Sequence, residues 1–68
     1  MDSMIEKTLS LALEKGQKVR IIYNGEKGCS ERTVKVLGID GEKADCYCYL
    51  RRRRRSFLLD RILSAVLI

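Results

Sequence analysis

Arg51-Arg52-Arg53-Arg54-Arg55-Ser56-Phe57-Leu58-Leu59-Asp60-Arg61-Ile62 joins five consecutive arginines directly to an apolar stretch, and the fold turns on how that junction is read. A polybasic tail stays disordered when nothing apolar follows it. Here Phe57, Leu58, Leu59 and Ile62 require a core, so the arginines stand on a folded scaffold. The chain carries 14 Lys+Arg against 9 Asp+Glu. Setting the five arginines aside leaves nine basic residues against nine acidic ones, so the whole net charge of +5 lies in this run. Charge this concentrated repels itself and calls for either solvent or an anionic partner. A solvated hairpin tip and an anion-binding surface both meet that requirement.

Working outward, 68 residues fit one small domain with a thin core. With 46% hydrophobic and 34% charged residues, the composition is that of a folded globular domain. No apolar run approaches the roughly 20 residues of a membrane helix. Met1-Asp2-Ser3 lacks the basic flank and apolar stretch of a secretory signal, so a cytoplasmic protein is expected.

Cys29, Cys46 and Cys48 form no disulfide framework, and reduced thiols are expected. Cys46-Tyr47-Cys48 lacks the spacing of a zinc knuckle and no histidine exists to complete one, so small apolar strand positions are the favoured role and no metal is expected. Without histidine the commonest general base is also missing. Gly25 and Gly28 lack the spacing and the lysine of a phosphate loop. A non-enzymatic protein without a cofactor is therefore expected.

Ser3 and Glu6 stand in the S-x-x-E spacing of a capping box. Ile5, Leu9, Ala12 and Leu13 then recur on one helical face, and Lys15-Gly16 makes a stop, which predicts a helix over residues 4–15. Leu11 lies off that face. After Gly16 the period becomes two. Val19, Ile21 and Tyr23 alternate with Lys18, Arg20 and Ile22 in a first strand; Asn24-Gly25 and Lys27-Gly28 mark a loop; residues 32–39 form a second strand; Asp40-Gly41 signals a hairpin. Ala44, Cys46, Cys48 and Leu50 share one face of a third strand, opposite Asp45, Tyr47 and Tyr49. The arginine run is expected to hold the next turn, residues 55–59 a fourth strand, Asp60-Arg61-Ile62 a tight connection, and residues 64–68 a fifth strand. One helix before five short antiparallel strands points to a small closed β-barrel, since closure removes exposed edges; an open meander beside the helix is the alternative.

Taken together, Val19-Arg20-Ile21-Ile22-Tyr23, Arg32-Thr33-Val34, Tyr47-Cys48-Tyr49-Leu50-Arg51 and Arg55-Ser56-Phe57-Leu58-Leu59-Asp60-Arg61-Ile62 resemble the WYL domain family from about Ile5 to the C-terminus. The closing R-x-F-x-x-D-R-I stretch is the most specific of these motifs. The resemblance implies a mainly β, five-stranded antiparallel Sm-like (Src-homology-3-like) barrel behind one helix, making residues 1–68 a single domain, with strands over about residues 17–68. It also implies a regulatory module that senses a nucleotide-like anion or single-stranded nucleic acid, of the kind that usually sits behind a helix-turn-helix in bacterial transcription regulators. By position, Arg32, Arg55 and Arg61 correspond to the family's basic ligand-facing residues, with Tyr23 on the same surface. The name-giving Trp-Tyr-Leu is replaced by Glu42-Lys43-Ala44, the basic residue frequent after the signature phenylalanine is Leu58, and Val36 stands where proline is frequent.

Two functional readings follow. In the first, Arg51, Arg52, Arg53, Arg54 and Arg55, with Arg32 and Arg61, form one anion-binding surface. Guanidinium groups match phosphate oxygens in pairs, and Tyr23, Tyr47 and Tyr49 offer stacking faces. Against this, each tyrosine is also an ordinary strand aromatic, and Arg61 beside Asp60 also serves to pin a turn. In the second, the domain is a protein-interaction module that docks on an acidic partner or self-associates. Ala65-Val66-Leu67-Ile68 is apolar enough for an interface, or equally for a buried last strand.

Overall fold

In the computed structural model, which describes residues 3–68, helix α1 (Ser3–Lys15) precedes strands β1 (Lys18–Gly25), β2 (Gly28–Asp40), β3 (Lys43–Cys48), β4 (Arg53–Leu58) and β5 (Ile62–Leu67). A one-turn 3₁₀ helix, Leu59–Arg61, links β4 to β5. The sheet is antiparallel, in the order β4-β3-β2-β1-β5.

Helix α1 forms for the reasons its sequence implies. Ile5, Leu9 and Ala12 recur at i, i+4 and i+7 and are buried against the sheet, with β5 and β2 taking most of the contact. Gly16 ends it in a left-handed conformation (φ 63°). The Gln17 amide donates to the Ala12 carbonyl at 3.0 Å and the Gly16 amide to that of Leu13 at 3.4 Å, the paired bonds of a Schellman stop. Leu13, expected on the buried face, is instead 39% exposed, because the stripe that reaches the sheet is only one residue wide at that turn. The expected capping box falls on Ser3, whose side chain lies outside the described residues.

The hairpins are tighter than the glycines alone imply. Pairing continues to Gly25↔Gly28, so the first loop is only Glu26-Lys27, and Gly28 (φ 107°) takes the left-handed step that a side chain resists. The second turn, Gly41-Glu42, closes on Asp40↔Lys43. The third departs most from expectation. Its loop is Tyr49 to Arg52, while Arg53, Arg54 and Arg55 already belong to β4, paired with Cys48, Tyr47 and Cys46. Leu50 falls in that loop and is 80% exposed rather than sharing the face of Ala44, Cys46 and Cys48, which are buried as expected. Strand β5 likewise begins at Ile62, leaving the 3₁₀ turn to Leu59, Asp60 and Arg61.

The closed-barrel expectation is corrected: β4 and β5 are the two edges and no ladder joins them, so the sheet is open. The physical reason lies in the connection. Leu59 and Ile62 bury their side chains in the connection between the edges, β5 takes its register from β1 (Ile62↔Tyr23), and α1 packs on β5, β2 and β1. Phe57, Leu9, Ile21, Val19, Val34 and Val36 are the largest fully buried side chains, and the described residues include no buried polar one. Each such apolar side chain contributes about 1.5–3 kcal/mol against exposure. Among the described residues, no helix is long and apolar enough to cross a membrane.

Candidate anion-binding site

Strand alternation decides which arginines can meet. On β4, Arg53, Arg55 and Phe57 pair with Cys48, Cys46 and Ala44 and share the inner face; Arg54, paired with Tyr47, points the other way. Arg55 is therefore drawn toward the core and is half-buried, its guanidinium 5.8 Å from the Phe57 ring centroid in a cation–π contact. Phe57 meets Tyr23 of β1 edge-on, with centroids 4.9 Å apart at 72°. The Tyr23 hydroxyl accepts a hydrogen bond from the Leu58 amide at 3.2 Å. Strands β1 and β4 are not neighbours in the sheet, so Tyr23 supplies by side chain a tie across the curved face that a barrel would make by backbone.

Arg32 approaches the same place from β2. It is half-buried opposite Ile21, and its Nε donates to Ser30 Oγ at 3.3 Å, which fixes the side chain's direction. Arg61 arrives from the 3₁₀ turn. Together Tyr23, Arg32, Arg55, Phe57 and Arg61 line an open pocket of about 520 Å³, a size suited to a small organic ligand. Among the described residues none of these arginines has a carboxylate within ion-pairing distance; the ion pair present is Arg20–Glu31, at 3.4 Å. Arg61 is therefore not pinned by an ion pair to Asp60.

The two buried thiols record the local field. Burial pushes Cys46 up to about 12, helped by the charges of Asp45 and Cys48. Burial works the same way on Cys48, but the backbone amides of Arg51 and Leu50 and the Arg32 guanidinium outweigh it, and its pKa lies below the ordinary thiol value. The Cys48 thiolate is thus favoured locally, by those two amides first and by Arg32 after them. Cys29 is exposed on the pocket rim, and all three cysteines are free thiols.

The predicted site residues divide. Tyr23, Arg32, Arg55 and Arg61 come together. Arg51 and Arg52 stand exposed in the loop, Arg53 is exposed near the start of β4, and Arg54 lies on the outer face with Tyr47 and Tyr49. One continuous surface of seven arginines is not formed, because successive strand residues face opposite ways. Sequence reasoning missed Ser30, two residues before Arg32 on the same face, and Phe57 as the seat of Arg55. Both were accessible from the period of two.

The WYL domain family model matches residues 5–67. Among solved structures, the fold resembles that of the proteasome accessory factor B/C (PafBC) of Arthrobacter aurescens, with a TM-score of 0.84 and 24% identity. That alignment covers 96% of this chain and 11% of PafBC, so the chain spans about a tenth of the larger protein's length. No curated protein matches the chain. With the family model running from Ile5 through Leu67, the chain belongs to the WYL domain family.

Proposed function

We propose that the chain is a non-enzymatic regulatory module that senses a phosphate-bearing ligand, a nucleotide or a stretch of single-stranded nucleic acid, in the pocket of Tyr23, Arg32, Arg55 and Arg61. The observation that carries this reading is the convergence of three guanidinium groups, none ion-paired to a carboxylate among the described residues, on one open pocket floored by aromatic rings. Arg55 and Arg32 are held in place by Phe57 and Ser30, so they lose little side-chain freedom when a phosphate arrives. Tyr23 is a positioning residue, its hydroxyl already engaged by Leu58. The loop arginines supply a diffuse positive field that raises the encounter rate with polyanions.

The test is titration of the protein with a labelled oligothymidylate and with a mononucleotide at low salt. Arg61→Ala should abolish or strongly weaken binding of the mononucleotide, which fits within the pocket, while leaving the melting temperature in place. A fall in melting temperature with binding retained would assign Arg61 a structural role instead. Failure of the unaltered protein to bind either probe would reject the reading.

Self-association is a second reading, favoured by one observation. Strand β5 is a free edge on which Leu63 and Val66 are 54% and 55% exposed. Sedimentation equilibrium over a hundredfold range of concentration separates a monomer from a dimer through that edge.

A further inference from the structure

The face of the sheet turned away from the pocket carries a second ordered array. The registers Lys18↔Lys35, Lys35↔Tyr47 and Tyr47↔Arg54 place four side chains in one row across β1, β2, β3 and β4. Cross-strand partners share a face. With neighbouring strands about 4.8 Å apart, the row spans about 14 Å. Tyr49 adjoins it: its ring meets Tyr47 edge-on at 5.3 Å and 80°, and Lys18 Nζ lies 4.9 Å from its centroid. Lys18, Lys35, Arg54 and Tyr49 are exposed and Tyr47 is half-buried.

The charges in this row are arranged at a cost. Lysines directly opposite one another on paired strands repel. Among the described residues no carboxylate pairs with Lys18, Lys35 or Arg54. The acids nearby are engaged elsewhere: Glu31 with Arg20 at 3.4 Å, and Asp45 as acceptor from the Ser56 hydroxyl at 2.6 Å. An anion laid along the row would relieve that repulsion.

We infer that this outer row, Lys18–Lys35–Tyr47–Arg54 with Tyr49, is a second binding surface that takes a single-stranded nucleic acid, its phosphates on the three cations and its bases on the two tyrosine rings. Cations set beside aromatic rings are the chemistry that selects this occupant. An acidic peptide would use the cations and leave both rings uncovered. A duplex would present phosphates but keeps its bases stacked within itself. A strand with unstacked bases uses both, and the Lys18 ammonium on one face of Tyr49 strengthens the ring as a platform. The inference does not depend on the pocket, because no residue of the row lines it.

The experiment uses the full chain and the oligonucleotide (dT)12. The chain has no tryptophan and three tyrosines, so stacking is read directly as quenching of tyrosine fluorescence. Quenching is expected, together with amide chemical-shift changes at Lys35, Tyr47 and Arg54. Replacing Tyr49 with Leu should weaken binding about tenfold. The triple variant Lys18→Ser, Lys35→Ser, Arg54→Ser should lower the log–log salt slope by roughly 2, at about 0.7 per phosphate on a single strand. The pocket variant Arg55→Ala with Arg61→Ala should leave the quenching and the shifts at Lys35 and Tyr47 in place, so failure of the pocket and failure of the row give different results. Shifts confined to residues around the pocket would overturn the inference, and that reading needs no variant to fold. Displacement of (dT)12 by polyglutamate at equal charge concentration would also overturn it, in favour of an acidic protein partner.

Discussion

Arg55 and Arg52 stand three positions apart in a run of identical residues, yet they occupy unlike regions. Arg55 lies on the inner face of β4, half-buried over Phe57, with Cys46 as its cross-strand partner. Arg52 lies in the loop before that strand, exposed and at φ 54°, the one non-glycine left-handed residue among those described. Their charge is the same and their use differs. A guanidinium seated on a ring has already lost rotamer freedom, so contact with phosphate translates into affinity. A guanidinium on an exposed loop pays that entropy on binding, about 1.5–2 kcal/mol, and contributes mainly to long-range attraction, which salt screens.

The largest effect expected is on the seat itself. Phe57 is almost fully buried, and Phe57→Ala should cost about 3–5 kcal/mol of stability, read from the midpoint of urea unfolding. A cost below 1 kcal/mol would mean that Arg55 has no firm platform, and the contrast with Arg52 would collapse. Next come the arginines. Arg55→Ala should weaken mononucleotide binding tenfold or more at moderate salt, the loss of a charge-assisted contact of about 1.5–3 kcal/mol. Arg52→Ala should change it by less than about twofold under the same conditions and show its effect only as salt is lowered. Equal losses would make the run a uniform electrostatic surface.

The thiols beneath the two regions sharpen the comparison through pH. Cys46, opposite Arg55, has its pKa raised from 9.0 to about 12 by burial first and then by Asp45 and Cys48. A raised folded-state value means that stability is fully present below the unfolded value and is lost as pH rises through the folded one. Between about pH 9 and 12 the protein should lose up to about 1.4 kcal/mol per pH unit from this group. Cys48 shifts the other way, so its contribution appears above the unfolded value and is lost as pH falls. Unfolding midpoints across that range should flatten in Cys46→Ala, whatever its absolute stability. An unchanged slope would place the Cys46 sulfur in contact with solvent. The smallest effect concerns the loop. Arg52→Gly relieves a left-handed penalty of about 1–2 kcal/mol and adds about 0.5–1 kcal/mol of unfolded-state entropy, so a net gain of up to about 1.5 kcal/mol is expected in thermal melts. No gain would show that the loop relaxes without Gly.

The amino-acid sequence by itself determined the local elements. The spacing of Ile5, Leu9 and Ala12 with Gly16 after Lys15 specifies α1, and the alternation around Val19-Ile21, Val34-Val36 and Ala44-Cys46-Cys48 specifies three strand faces, because each of these preferences acts over a few residues. The motif residues Tyr23, Arg32, Arg55 and Arg61 were legible as a set through their resemblance to a family, without any indication of what seats them. Other features depended on pairing. Leu50 has the right parity for the inner face of β3, but pairing ends at Cys48↔Arg53, so Leu50 is left in the loop. Arg53 and Arg54 look like loop residues by charge, and the register places them on opposite faces of β4. Whether the sheet closes, and that β1, β2, β4 and the 3₁₀ turn converge on one pocket, follows from curvature and from burial of Leu59 and Ile62 in the connection between the edges. Those are contacts between residues far apart in the chain, whose energies no short-range pattern contains; only the tertiary structure decides which face of each strand meets which.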